Sequence, residues 1–127
     1  MKPEGTSSLE VLDPDVMQQL LDLDDGELGL LSEMYELFRD DTPPRIALLE
    51  AAILKGDREQ MGDTAHAVKG AASTMGAPKV RAFAQVLEAC GRAKQCDEDL
   101  NGTLANLKTA FAEALAGLEA FIAERKG

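Results

Sequence analysis

The fold is decided by residues 57–76, which read DREQMGDTAHAVKGAASTMG. Apolar residues recur in this stretch at steps of four and three, so they form one narrow stripe along an α-helix. The residues of the stripe are Met61, Ala65, Val68, Ala72 and Met75. Asp57 and Gln60 have the spacing of a capping box, and Gly76 with Pro78 is typical of a tight corner between two helices. The stretch therefore predicts a helix from about Asp57 to Gly76, followed directly by another helix.

Two further helices are predicted before this stretch. Asp13-Pro14-Asp15 is a strong helix start, because it combines a capping residue, a proline in the first turn and an acid, and this short helix should end near Leu23. A longer apolar stripe predicts one kinked helix over about 27–55. Thr42-Pro43-Pro44 interrupts that stripe, and the residue before a proline avoids the α conformation, so two separate helices are the alternative.

Two more helices are predicted after the central stretch. The first covers about 78–94 and turns Cys90 inward. The second carries an apolar seam to the C-terminus, and it begins either at the acidic residues 97–99 or after the turn signal Asn101-Gly102. No stretch alternates polar and apolar residues as a strand would. The sequence therefore predicts an all-α fold, an antiparallel four-helix bundle with an additional short N-terminal helix.

The length and the composition define the domain organisation. The chain has 127 residues, which suits one domain. Residues 1–12 are rich in proline, glycine, serine and threonine, so we predict a flexible leader there. Residues 13–127 are predicted to form a single helical-bundle domain, and we expect it to be a monomer.

The charge balance limits the kinds of partner. The chain carries 23 Asp and Glu against 13 Lys and Arg, a net charge of −10. Nucleic acids and anionic membranes are therefore poor partners, since both require a cationic surface. No apolar run approaches the ~20 residues of a membrane span. Cys90 and Cys96 are too few for a disulfide framework, and we expect reduced thiols in a cytoplasmic protein.

His66 is the single histidine of the chain. It follows Ala65 of the buried stripe, so its ring should emerge at the edge of that stripe. Lys69 and Gly70, three and four residues later, share its helical face. A glycine within a helix costs about 1 kcal/mol relative to alanine. Gly70 therefore indicates that space is required beside His66, for a phosphoryl group or a partner, with close packing of another helix as the alternative.

The local charge also changes around His66. Residues 1–64 hold 16 acids and 5 bases, a balance of −11, whereas residues 65–94 hold 5 bases and 1 acid, a balance of +4. A cationic segment suits a group that becomes anionic, and pairing with acidic neighbours is the alternative explanation. The small residues after Gly70 leave this face uncluttered, and we place Ser73 among the residues that face a phosphoryl group or a partner.

The next helix should reach the same site. His66 lies ten residues before the corner at Gly76, about 15 Å along its helix. The same depth on the returning helix falls near Glu88, with Gln85 and Arg92 as its neighbours on that face. We expect Arg92 to add positive charge where a group on His66 becomes anionic. A carboxylate would repel that group, so we expect Glu88 to be turned aside or paired with Arg92 until a partner docks.

The sequence around His66 resembles the signature of histidine-containing phosphotransfer (HPt) domains. The matching residues are His66-Ala67-Val68-Lys69-Gly70-Ala71-Ala72, followed by Gly76-Ala77. The resemblance covers residues 11–94 by motif and extends to 125 by the order of the helices. It implies that His66 is the phosphoacceptor, that Lys69 is the cation beside the phosphate and that Gly70 gives clearance. It also implies a phosphorelay intermediate, whose partners are response-regulator receiver domains and a sensor histidine kinase.

The chain does not carry the other parts of such a relay. It has no P-loop, and it lacks the acidic cluster that would hold Mg²⁺ in a receiver domain. We therefore expect a phosphocarrier that is not an enzyme and has no cofactor of its own, with Mg²⁺ supplied at the partner receiver. Two alternatives are a helical adaptor that is never phosphorylated and the N-terminal phosphoacceptor domain of a chemotaxis-type kinase.

Overall fold

The computed structural model describes residues 9–24 and 26–126, and this part of the chain is helical without any strand. It contains five helices, α1 (Pro14–Leu23), α2 (Gly29–Lys55), α3 (Arg58–Met75), α4 (Pro78–Arg92) and α5 (Leu100–Lys126). The predicted all-α class, with one short N-terminal helix and four longer ones, is confirmed.

The four long helices form the bundle. Helix α3 packs most extensively against α4 and, on its other side, against α2, while α5 closes the bundle by packing against α4 and α2. Helix α1 contacts α2 and α3. Short connections make sequential helices antiparallel neighbours. His66 therefore lies on a helix that is flanked by α2 on one side and by α4 on the other.

The core is built from the apolar stripes of these helices. All five residues of the predicted α3 stripe are buried. Phe38 of α2 and Phe111 of α5 meet edge to face, with ring centroids 5.2 Å apart. Leucine and valine fill most of the remaining space; the fully buried ones are Leu31, Leu49, Leu87, Leu107, Leu118, Val68 and Val80. These contacts hold α3 and α4 firmly enough to carry a defined site on their surface.

Helix α2 continues through Pro43 and Pro44, so the single-helix prediction is confirmed and the two-helix alternative is wrong. Both prolines are exposed, and water can therefore serve the carbonyls that lose their helical partners. Ile46 and Leu49 stay buried on the far side of this interruption. Burial of one continuous apolar stripe outweighs the local loss of two hydrogen bonds.

The predicted boundaries of α3 are confirmed, although its capping box is only half formed. Asp57 accepts a hydrogen bond from the Gln60 backbone N–H at 3.1 Å. The Gln60 side chain does not return to Asp57, and instead donates to the Thr64 hydroxyl at 3.3 Å. At the other end Gly76 has a left-handed φ of 69°, and Pro78 begins α4. The tight corner between α3 and α4 therefore forms as predicted.

The connection between α4 and α5 differs from the prediction. Helix α4 ends at Arg92 rather than 94, and α5 begins at Leu100. The acidic residues 97–99 precede α5 instead of forming its first turn. Asp99 accepts a hydrogen bond from the Gly102 backbone N–H at 3.0 Å, so Asn101-Gly102 lies inside the helix. A carboxylate cap at Asp99 thus overrides the turn signal.

The two cysteines are bonded to each other, and the prediction of reduced thiols is wrong. Cys90 and Cys96 form a disulfide with their Cα atoms 5.1 Å apart. The prediction considered the number of cysteines and not the path of the chain, which turns back after α4 and brings the two together. Arg58 of α3 adds a second tie, donating to the carbonyls of Cys90 at 2.6 Å and Lys94 at 3.1 Å. The predicted inward position of Cys90 is confirmed.

The predicted leader, residues 1–12, falls mainly outside the described residues. Within residues 9–12, Leu12 packs against the core. The backbone N–H of Asp13 donates to the Gly76 carbonyl at 2.8 Å, which ties the start of α1 to the α3–α4 corner. The boundary between leader and domain stays a prediction. None of the described helices is long and apolar enough to cross a membrane.

Candidate functional site

The exposed ring of His66 is the centre of the site. Ala65 and Val68 anchor this turn of α3 in the core, and the stripe they belong to directs the adjacent His66 outward. The His66 side chain is 64% exposed, so its ring is open to a partner in solution. Its Nδ1 atom lies 2.8 Å from Oε2 of Glu88 on α4. One ring nitrogen is therefore held by the protein, and the ring has a fixed orientation.

Glu88 gathers three positively charged or hydrogen-donating groups. Besides His66, Lys69 Nζ lies 2.5 Å from its Oε1 atom, and Arg92 Nε lies 3.3 Å from its Oε2 atom. The Glu88 side chain is only 11% exposed. The interactions with Lys69 and, to a smaller extent, with His66 together lower the pKa of Glu88 from 4.5 to about 2, and they outweigh the opposite effect of burial. Glu88 is therefore a carboxylate at neutral pH.

The ionised carboxylate determines which nitrogen of His66 carries the proton. A carboxylate only accepts hydrogen bonds, so the close contact requires that Nδ1 donate. In the neutral imidazole the other nitrogen, Nε2, then has the free lone pair. The arrangement thus gives an exposed histidine whose outer nitrogen can act as a nucleophile.

Arg92 links the two helices below His66. Its guanidinium contacts Glu88 on its own helix and Asp63 on α3, where Nη1 lies 3.6 Å from the carboxylate. Asp63 was not among the residues predicted for the site, although its position three residues before His66 places it on the same helical face.

The cations of residues 65–94 are in part paired with acids. Lys79, for example, lies 3.5 Å from Glu113. The alternative explanation of the positive local charge, pairing with acidic neighbours, therefore also holds.

The predicted position of Glu88 is confirmed, and one of its two predicted arrangements is wrong. It lies at the depth of His66, and it pairs with Arg92 as one alternative stated. It is not turned aside, because it binds His66 directly. The argument from repulsion weighed the phosphorylated histidine against Arg92 alone, and it omitted Lys69, which also offsets the negative charge of the carboxylate.

The surroundings of Gly70 contradict close helix packing at that position. A Cβ atom built on Gly70 would meet no heavy atom of the described chain within 4 Å. The predicted open space beside His66 is therefore present. Ser73 is exposed farther along α3, and its hydroxyl accepts a hydrogen bond from Arg81 at 2.9 Å. Gln85 is exposed on α4 and lines a shallow cavity together with Ala89 and Cys96.

The structure brings together His66, Lys69, Glu88 and Arg92, whereas no hydrogen bond or ion pair in the described part of the chain joins Ser73 or Gln85 to them. Among residues 9–24 and 26–126, no three His, Cys, Asp or Glu side chains are grouped so that they could hold a metal ion. The expectation of no cofactor stays a prediction.

A helical bundle that presents one oriented histidine on its surface defines a class of protein, the histidine phosphotransfer module. The Hpt domain family model matches residues 33–121, and the chain belongs to this family. Hpt domains are phosphocarrier modules that work with kinases and receiver domains, and a histidine phosphotransfer role in two-component signalling follows for this chain.

Two solved structures are similar to the chain. Histidine-containing phosphotransfer protein B (HptB) from Pseudomonas aeruginosa PAO1 is 25% identical, with a TM-score of 0.78 over 94% of this chain and 97% of that one. The histidine-containing phosphotransfer domain of ArcB from Escherichia coli is 19% identical and shares the fold, with a TM-score of 0.77 over 89% and 93% of the two chains. Comparison with curated protein sequences gives no significant match.

Proposed function

We propose that His66 accepts a phosphoryl group from the phosphoaspartate of a receiver domain, or from a kinase, and passes it to the aspartate of another receiver. The observation that carries the proposal is the hydrogen bond between His66 Nδ1 and the ionised Glu88, because it leaves Nε2 as the exposed nucleophile. The match to the Hpt family and the open space at Gly70 support it.

In the transfer step, the Nε2 lone pair of His66 attacks the phosphorus atom of the acyl phosphate. The N–P bond forms as the P–O bond breaks, and the electron pair of that bond stays with the aspartate as its carboxylate. The proton on Nδ1 remains in place and continues to donate to Glu88. Glu88 then balances the positive charge of the phosphorylated ring, and onward transfer is the reverse reaction on a second receiver.

Lys69 and Arg92 supply positive charge for the phosphoryl group. Both are already held near His66 by Glu88, so little ordering is required when the anion forms. We assign Lys69 to the phosphate side, because its amine lies one turn from His66 on the same face. Arg92 has the same role from α4, and Ser73, Gln85 and the open face at Gly70 are assigned to contact with the partner.

The partner domain completes the reaction centre. We propose response-regulator receivers and a sensor histidine kinase as partners, with Mg²⁺ bound at the receiver and no cofactor bound by this chain. Phosphoryl transfer needs positioning and charge stabilisation, and the receiver provides the metal for the second of these. We also propose that the chain works as a monomer in the cytoplasm, where it can meet those partners.

The decisive experiment incubates the protein with a panel of phosphorylated receiver domains and follows the label. The parent should acquire an acid-labile, alkali-stable phosphoryl group, and His66→Gln should acquire none. Lys69→Ala should still be labelled, but more slowly, because it keeps the nucleophile and loses a cation. Equal labelling of parent and His66→Gln would refute the proposal, and binding of receivers without any labelling would identify an adaptor.

A further inference from the structure

Helices α3 and α4 approach each other closely one turn from His66. A Cβ atom built on Gly91 would lie 2.6 Å from the Gly62 nitrogen and 2.7 Å from both the Arg58 carbonyl oxygen and the Gly62 Cα atom. All three are backbone atoms of α3, so no side-chain rotation can make room for it. The backbones of the two helices touch here only because residue 91 has no side chain.

This contact is in register with the site. Gly62 precedes His66 by four residues on α3, and Gly91 follows Glu88 by three residues on α4. In an antiparallel pair these spacings place the glycine contact one helical turn from the hydrogen bond between His66 and Glu88. The separation of the helices at the glycines therefore controls the separation of the two side chains.

The distances show how sensitive that hydrogen bond is. Ordinary contact of a Cβ atom begins near 3.4 Å, so a side chain at residue 91 would require a shift of about 0.8 Å from 2.6 Å. With both side chains kept in their present rotamers, the His66–Glu88 distance of 2.8 Å would then approach 3.6 Å, at which no hydrogen bond remains.

We propose that Gly91 is a positioning residue for the phosphotransfer proposed above, which assumes His66 as the phosphoacceptor. By letting the α4 backbone rest on α3, it brings Glu88 within reach of Nδ1 and so keeps the Nε2 lone pair free. Gly91 touches neither the substrate nor the reacting nitrogen, and it acts entirely through the placement of Glu88.

The test compares Gly91→Ala with Gly62→Ala. Both variants add one methyl group to the same contact and gain the same helix propensity. The Cβ atom at residue 62 meets Arg92 Cγ at 3.4 Å and the Gly91 backbone at 3.6 Å, which are ordinary contacts. Gly62→Ala is therefore the matched control, in which α4 stays in place.

The main readout is the tautomer of the His66 ring, from ¹⁵N chemical shifts at neutral pH. His66 is the single histidine of the chain, so its ring signals need no assignment. We expect the parent and Gly62→Ala to carry the proton on Nδ1, and Gly91→Ala to show a mixture of both tautomers. Labelling by a phosphorylated receiver should fall about tenfold in Gly91→Ala alone, the lower range for losing a carboxylate that orients a histidine.

The outcomes separate this inference from the proposed function. A Gly91→Ala protein that keeps the Nδ1 tautomer would overturn the inference, whatever its labelling rate. If no donor labels the parent, the proposed function fails, and the tautomer comparison still decides the role of Gly91. If Gly91→Ala does not fold, the tautomer comparison alone is repeated in a Gly70→Ala background, where the new methyl group meets open space and raises helix propensity.

Discussion

Gly62 and Gly70 lie one helical turn before and one turn after His66 on α3, and their surroundings are opposite. At Gly70 a side chain would extend into open space, since nothing in the described chain lies within 4 Å of its Cβ position. At Gly62 the helix is pressed against Gly91 of α4. We call these the open turn, around Gly70, and the closed turn, around Gly62 and Gly91. Between them, His66 has one side for a partner and one side fixed to the bundle.

The difference shows that glycine serves two purposes on the two helices beside His66. On the open turn, the missing side chain leaves room for a molecule that is not part of the chain. On the closed turn, the missing side chain of Gly91 on α4 permits a backbone contact with Gly62, and in the proposal above this contact sets the position of Glu88. A phosphoacceptor needs both, because its outer nitrogen must be accessible while its inner nitrogen must be held.

The largest effect is expected from the disulfide beside the closed turn. Reduction of Cys90–Cys96, or the double substitution Cys90→Ser with Cys96→Ser, should lower the free energy of unfolding by about 2 kcal/mol, because a short loop is released. Cys90 is two residues from Glu88, on another face of α4, and Arg58 still holds the loop. The rate of labelling by a receiver should therefore change less than about twofold.

Urea denaturation with and without dithiothreitol measures the stability change, and the double variant is the control, since it should not respond to the reductant. If reduction instead disturbs the His66 tautomer as strongly as Gly91→Ala, the loop rather than the glycine contact positions α4. That result would mean that the closed turn does not position Glu88 independently of the disulfide.

At the open turn we expect a smaller effect, in which stability rises while the rate of labelling falls. Gly70→Gln should stabilise the helix by up to about 1 kcal/mol, because glutamine is a better helix former than glycine. Labelling by a receiver should nevertheless fall about tenfold, since the new side chain occupies the space of the partner. Gly70→Ala is the control with a minimal side chain, and it should lose much less activity. Normal labelling of Gly70→Gln would show that the partner does not use this turn.

The open turn could be predicted from the sequence, and the closed turn could not. Lys69 follows His66 by three residues and Gly70 follows it by four, so helical periodicity alone places all three on one face. The glycine contact depends on the distance and angle between α3 and α4, which side chains throughout the core determine together. Gly62 and Gly91 are 29 positions apart in the sequence, and nothing local marks them as a pair.

The same division applies to the fold as a whole. The helices were predictable because stripes and terminators such as Gly76 and Pro78 are local signals. The depth of Glu88 also followed from simple geometry of the α3–α4 corner. Its hydrogen bond with His66 did not, because three groups compete for one carboxylate and their balance depends on the packed structure. The Cys90–Cys96 bond likewise depends on where the chain turns after α4.

The smallest effect on labelling is expected from Glu88→Gln, which tests the carboxylate that lies between the two turns. The pKa of Glu88 is lowered from 4.5 to about 2 in the folded protein. Its charge therefore stabilises the fold fully above pH 4.5, and this contribution is lost as the pH falls from 4.5 toward 2.

Glutamine cannot ionise, so the difference in unfolding free energy between parent and variant should shrink over that range in urea denaturation. Glu36→Gln, on the exposed face of α2, is the control and should show no such convergence. The amide oxygen can still accept from Nδ1, so labelling should slow only a few-fold, by less than the tenfold loss in Gly91→Ala. A parent–variant difference that stays constant from about pH 6 to pH 3 would mean that Lys69 and His66 do not stabilise the Glu88 charge.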